Sequence, residues 1–269
     1  MPLVKFVSVC TVSMLMFVTG RSQFTDSSTV ITYKAYADSL KKVDWQSAKL
    51  TNRFPVKSFL IPAALITYGF TALNNESLQH WNNKVKEEIY LEHPHQKFPI
   101  DNFLQFAPAL TVYGLNAMGI KGKHNFRDRS MIYLMSNIIL NTTVFTVKKF
   151  SHQVRPDGSN NFSFPSGHTA VAFASAEFMR QEYKDVSPWY GVAGYTMAAA
   201  TGYLRMYNNK HWLSDVAAGA GIGIASTRLS YWIYPMIQRK IFKDKPVNTL
   251  VMPYYQHKGA GIAMIYHFR

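Results

Sequence analysis

Six stretches rich in apolar residues, each roughly 15 to 22 residues long and bounded by polar ones, leave this chain one economical way to fold, as helices packed on helices. They run over 59–73, 101–118, 131–147, 169–182, 189–207 and 213–234. Asp101 is placed to cap the second and Gly119 to close it. Such lengths fit a soluble bundle or a tilted bundle in a membrane. Apolar residues make up 48% of the 269, and charged residues only 16%, under the roughly 25% usual in soluble domains. That leans towards a membrane, but a mean hydropathy of −0.09 requires any spans to be modest and separated by polar stretches.

The flanks read differently. Lys5, an apolar run from Phe6 to Val18 and small residues around Gly20 and Ser22 form the layout of a secretory signal, with cleavage expected after Ser22 rather than an uncleaved anchor. The single cysteine, Cys10, lies inside that run, so the mature chain has no thiol chemistry and no disulfide. Losing Lys5 and Arg21, and no acid, lowers the net charge from +14 to +12. A balance this basic suits an anionic membrane surface or a phosphorylated substrate. Nucleic acid is disfavoured by secretion and by the lack of basic runs interleaved with aromatics. A surface helix is expected around Tyr33 to Leu50, and another where Leu78, Trp81, Val85 and Ile89 recur at helical spacing among charges. The tail "NTLVMPYYQHKGAGIAMIYHF" reads as a β-hairpin whose first arm, holding Pro253, is an edge. The expected organisation is all-α with a short C-terminal hairpin: a signal over 1–22, one helical domain over 23–247 and the hairpin over 248–269.

Three short segments carry the chemistry. In "KKFSHQVRP", Lys148 is followed after six residues by Arg155 and Pro156. In "SFPSGHTAVAF", Ser166, Gly167 and His168 open a helix, where free backbone N–H groups and the positive dipole end can hold an anion. In "RMYNNKHWLSD", Arg205 precedes His211 by six positions and Asp215 follows four later, one helical turn from the imidazole. A carboxylate so placed fixes the histidine tautomer and frees its other nitrogen.

A phosphate monoester carries nearly two charges, and its transferring phosphoryl spreads charge over three oxygens. Lys148, Arg155 and Arg205 supply matching cations, and Ser166, Gly167 and His168 supply amides. Two histidines complete the requirement, His211 to attack phosphorus and His168 to protonate the leaving oxygen. No metal or other cofactor is called for.

In this order the three segments resemble the signature of the type 2 phosphatidic acid phosphatase (PAP2) family, which also includes vanadium haloperoxidases. The resemblance implies a six-helix fold. It implies that Lys148, Arg155, Ser166, Gly167 and Arg205 hold the phosphate, that His168 is the acid/base, that His211 is the nucleophile forming a phosphohistidine, and that Asp215 orients it. Leu204 stands where the family usually has Ser, which removes one hydroxyl and implies tuning of substrate binding. The flanks of the motifs are similar to lipid A phosphatases, notably the 4′-phosphatase group. They imply an enzyme that removes the 4′-phosphate of lipid A, or acts on another anionic phospholipid, at the periplasmic side of the inner membrane. The alternatives are undecaprenyl diphosphate, phosphatidylglycerol phosphate, soluble monoesters, or haloperoxidase chemistry on bound vanadate.

Other features read as structural. "GAGIG" at 219–223 lies within a helix with no strand before it, so close helix packing is expected rather than a nucleotide site. His80, His93 and His95 read as surface histidines, and Arg127 and Arg129 as a solvated helix end.

Overall fold

The computed structural model describes residues 54–93, 95–242, 249–256 and 259–266. The signal and the Tyr33–Leu50 helix expected from the sequence lie outside them. One compact unit is Phe54–Ile237, and the described residues from Gln238 onward fall in a second.

The first unit is all-helical. Helix α1 spans Val56–Ala72. Asn75 then caps α2, Glu76–Lys86, by accepting from the Leu78 N–H at 3.1 Å. A π-helical turn, Glu87–Leu91, extends α2, and the run Glu76–Leu91 is bent 95° from α1. The expected amphipathic face is rotated. Leu78, Val85 and Ile89 are half-buried. Trp81 is 54% exposed, and the residue turned inward is Asn82. Its amide donates to Ser214 Oγ at 2.9 Å and its carbonyl accepts from Ser214 N–H at 3.1 Å. The surface that α2 meets is a helix start with an unpaired N–H, which a polar side chain satisfies and a leucine would not.

The second expected segment is broken into α3, Asp101–Leu104, and α4, Ala107–Ala117. Pro108 explains the break: it has no N–H for the Leu104 carbonyl and its ring would clash there, whereas the first turn of a new helix accepts it. Asp101 is not the cap, since it lies inside the first turn behind Ile100. Gly119, at φ +90°, ends this stretch as expected.

Helix α5, Phe126–Ser151, starts earlier than expected because Asn125 caps it, accepting from the Asp128 N–H at 2.9 Å. That cap folds the first turn inward, and Arg129 is therefore buried rather than solvated. Its guanidinium donates to the His124 carbonyl and lies 3.9 Å from Glu182. Arg127 keeps 45% of its side chain exposed. Among the described residues α5 is the one helix long and apolar enough to cross a membrane, and the bent α1–α2 pair passes the same test together. Met131, Leu134, Ile138 and Phe145 stand exposed along one face of α5, an apolar stripe that water would not favour.

Helices α6, Gly167–Tyr183, α7, Pro188–Tyr207, and α8, Leu213–Phe242, complete the bundle. α6 is its axis, with Ala170, Ala172, Ala174, Ala176 and Phe178 fully buried. The "GAGIG" glycines lie inside α8, as expected. A Cβ at Gly219 would come 2.5 Å from the Ser166 carbonyl, at Gly221 2.6 Å from the Pro62 carbonyl, and at Gly223 2.2 Å from the Ala170 carbonyl. Backbone thus packs on backbone along both sides of α8. Glu177 sits inside the bundle and is answered by Arg180 at 2.6 Å and Arg228 at 2.8 Å, so its buried charge is paired.

In the second unit β1, Thr249–Gln256, pairs antiparallel with β2, Gly259–Tyr266, with Gln256 opposite Gly259 and Pro253 opposite Ile262.

Candidate active site

Ser166 caps α6, its hydroxyl accepting from the Thr169 N–H at 3.4 Å and pairing with Thr169 Oγ1 at 2.9 Å. Its own N–H donates to the Asp215 carbonyl at 3.0 Å. Ser166 therefore fastens α6 to the start of α8 and has no amide left for an anion, contrary to expectation. Gly167 and His168, in the first turn, bring the N–H groups that helix geometry leaves without an intrahelical partner.

His211 sits in the turn after α7, where Asn209 takes φ +55° and the Lys210 N–H closes on the Arg205 carbonyl at 3.0 Å. The imidazole is 3% exposed. Its Nδ1 lies 3.2 Å from Asp215 Oδ2, the pairing expected from the spacing. The two do not share a helix face, however. His211 precedes α8, and Asp215 reaches back from its first turn, accepting at the same Oδ2 from the Trp212 N–H at 3.0 Å and from Ser163 Oγ at 2.5 Å. Three donors on one oxygen hold the carboxylate, and the carboxylate holds the ring.

The cations come from two other elements. Lys148, in the last turn of α5, donates to the carbonyls of Phe162 at 2.7 Å and Ser163 at 3.0 Å. Arg155 lies in a tight loop closed by its own N–H to the Asn160 carbonyl at 3.0 Å and by Gly158, at φ +70°. That loop is tied to the His211 turn by Lys210, whose ammonium meets Asp157 at 2.5 Å. Arg205 extends from α7, with one terminal nitrogen on Asp101 Oδ2 at 2.5 Å. Both arginines bury their Nε, and neither Nε has a hydrogen-bond partner. Buried donors left unpaired are rare and mark where an acceptor belongs.

Burial pushes both histidines down from the ordinary range, to about 4 each. At His168 the charge of Arg205 adds to the depression; at His211 the hydrogen bond and charge of Asp215 oppose it without reversing it. Both rings are neutral near pH 7 in the free site.

The structure thus gathers Lys148, Arg155, Gly167, His168, Arg205, His211 and Asp215 at one end of α6. Three residues that hydrogen-bond these side chains were not read as neighbours of the site. Ser163 gave no signal beyond proximity to the second motif. Asp101 was read as a cap, and Asn102, whose Oδ1 lies 2.9 Å from His168 Nε2, was not singled out. Leu204 is half-buried. His95 is not a plain surface residue: it stacks on Tyr207 at 3.5 Å and reaches the Tyr207 carbonyl at 2.7 Å, wedged against the end of α7. Among the described residues no group of three His, Cys, Asp or Glu side chains is arranged to hold a metal ion.

The first turn of α6 thus lies beside Lys148, Arg155 and Arg205 and the two histidines. Residues 129–239 match the family model of the PAP2 superfamily. Among particular relatives, the chain is 41% identical over 141 residues to the lipid A 1-phosphatase of Porphyromonas gingivalis, covering 52% of this chain and 32% of that protein. The chain therefore spans about a third of the length of that relative. Two crystal structures are also similar. LpxE of Aquifex aeolicus matches with 24% identity and a TM-score of 0.43, over 56% of this chain and 94% of that one. The transmembrane PAP2 type phosphatidylglycerolphosphate phosphatase of Bacillus subtilis matches with 18% identity and a TM-score of 0.43, over 69% and 99%.

Proposed function

We propose that this protein is a metal-independent phosphatase that removes a phosphomonoester from a lipid, with lipid A as the substrate. The observation that carries the reading is the pair of buried, unpartnered Nε donors of Arg155 and Arg205, beside Lys148 and the first turn of α6. Those groups bind the phosphate oxygens. His211 Nε2, freed by the Asp215 bond at Nδ1, attacks phosphorus as the bond to the leaving oxygen breaks, and His168 gives that oxygen a proton. Asp215 offsets the positive charge that His211 gains. Water then attacks the phosphohistidine, giving its proton to His168, and the P–N bond breaks to return both histidines to their starting states.

The relative at 41% identity acts on the 1-phosphate, and we take that position as the one cleaved. The 4′-phosphate is the second reading, favoured by the motif flanks. The exposed apolar stripe of α5 supports a place in the membrane, and the signal-like start supports a site facing the periplasm.

Purified protein offered lipid A, phosphatidylglycerol phosphate and soluble monoesters is expected to release phosphate from lipid A in the presence of EDTA and to be blocked by orthovanadate, which mimics five-coordinate phosphorus. Mass spectrometry of the product assigns the position. An absolute requirement for an added divalent ion, or bromide oxidation by peroxide in place of hydrolysis, would overturn the reading.

The depressed histidines set a pH dependence. Turnover needs His211 neutral and His168 protonated. Above pH 5 the first condition is met in the free enzyme, while the second fails progressively as pH rises. For an alkyl phosphate, kcat/KM is therefore expected to fall from pH 5 to 8. The kcat profile should hold to higher pH, because bound phosphate dianion offsets the cations that depress His168. A kcat/KM flat over this range would contradict the assignment of His168 as acid.

A further inference from the structure

The two catalytic histidines have different partners. His211 is held by a carboxylate and His168 by an amide, at 3.2 Å and 2.9 Å. The amide belongs to Asn102, and its neighbour Asp101 holds Arg205. Both lie on α3, a single turn of helix outside the three motifs. Successive side chains on a helix diverge by about 100°. One short turn therefore reaches two groups of the site that lie 66 and 104 residues further along the chain.

We infer that Asp101 and Asn102 are positioning residues of the phosphatase: Asn102 fixes which ring nitrogen of His168 carries the reacting proton, and Asp101 sets the aim of Arg205. The inference rests on the proposed function. Asn102 Oδ1, as acceptor, holds a proton on Nε2 and leaves Nδ1 as the nitrogen that gains and gives up the proton in catalysis. The choice of amide over carboxylate follows from the two roles. His211 becomes positively charged when it is phosphorylated, and a full negative charge beside it helps. His168 must release its proton to the leaving oxygen, and a carboxylate there would retain it. At Arg205, the Asp101 carboxylate is 1% exposed and takes one terminal nitrogen, so the guanidinium plane is fixed with Nε left unpaired. Asp101 thus spends one edge of the fork on orientation and leaves another for phosphate.

The test compares an alkyl phosphate with p-nitrophenyl phosphate, a good leaving group, in wild type, Asn102→Ala, Asn102→Asp and Asp101→Asn. Asn102→Ala is expected to lower kcat about tenfold on the alkyl ester with KM within about twofold, and to leave the nitrophenyl ester within about twofold. Asn102→Asp, nearly isosteric, is expected to move the basic limb of the alkyl-ester profile up by about one pH unit, by stabilising the imidazolium. Asp101→Asn keeps an acceptor on Arg205 but removes the charge. It is expected to weaken orthovanadate inhibition and raise KM about tenfold, with kcat nearly unchanged. Equal losses on both esters in Asn102→Ala, an unmoved limb in Asn102→Asp, or unaltered vanadate inhibition in Asp101→Asn would each overturn the inference. Nitrogen-15 shifts of His168 provide a readout independent of turnover: a single Nε2–H tautomer in wild type and a mixture in Asn102→Ala. An unchanged tautomer in the variant refutes the positioning role even if wild type hydrolyses both esters. Absence of hydrolysis by wild type, with the tautomer change present, refutes only the phosphatase reading.

Discussion

His211→Ala is expected to abolish the phosphoenzyme and to lower kcat by roughly 10⁴-fold or more, the order of loss when a covalent nucleophile is removed. The reason is positional as much as chemical. The ring is 3% exposed, its Nδ1 is committed to Asp215, and a water entering the vacated space would lack a fixed bond to aim it at phosphorus. Quenching a reaction with ³²P-labelled ester and separating protein from product measures the trapped phosphate. Labelled protein at wild-type levels in the variant would move the nucleophile elsewhere.

Asp215→Asn is expected to cost about 10³-fold in kcat while leaving the fold intact. The carboxylate uses a single oxygen, Oδ2, for His211, Ser163 and the Trp212 N–H, and its Oδ1 is buried without a hydrogen-bond partner. An asparagine with its carbonyl at the Oδ2 position keeps all three bonds, at the cost of burying an NH₂ without an acceptor, about 1–3 kcal/mol. What it loses is the negative charge that, in the proposed reaction, faces the cationic ring of phosphorylated His211. Circular dichroism unchanged from wild type at the assay temperature, beside the drop in phosphate release, would isolate that charge. Activity within tenfold of wild type would show that the carboxylate only orients the ring.

The sequence carried the fold and most of the site for different reasons. Apolar segments of span-like length appear in local composition, so α1 and α5 to α8 could be placed by eye. The break at Pro108 was legible in principle, but the apolar pattern on either side masked it. Burial of Arg129 and Asn82 depended on which helix end faced them, and periodicity holds no information on that. The motifs located both histidines and all three cations, because the spacing within each motif is set by local backbone geometry. Ser163 and Asn102 escaped because each acts through a single hydrogen bond across the fold, to Asp215 and to His168. Such a bond leaves no pattern in the residues beside it. The same holds for the amide of Ser166, whose partner is a main-chain carbonyl that any residue would offer.

The glycines of α8 have a mechanical consequence. The helix that carries Asp215 is seated on α6 and α1 by main chain against main chain, at positions where even a methyl group would collide. Interdigitated side chains can exchange rotamers and let neighbouring helices drift by small steps. Two bare backbones have no rotamers to exchange and can only separate. The spacing between the α6 start and the α8 start is therefore an all-or-none quantity. Warming should loosen the outer helices while the amides around Gly219 and Gly223 keep their protection until the whole bundle opens, so the proposed phosphatase turnover would be lost abruptly at unfolding rather than gradually on the way to it.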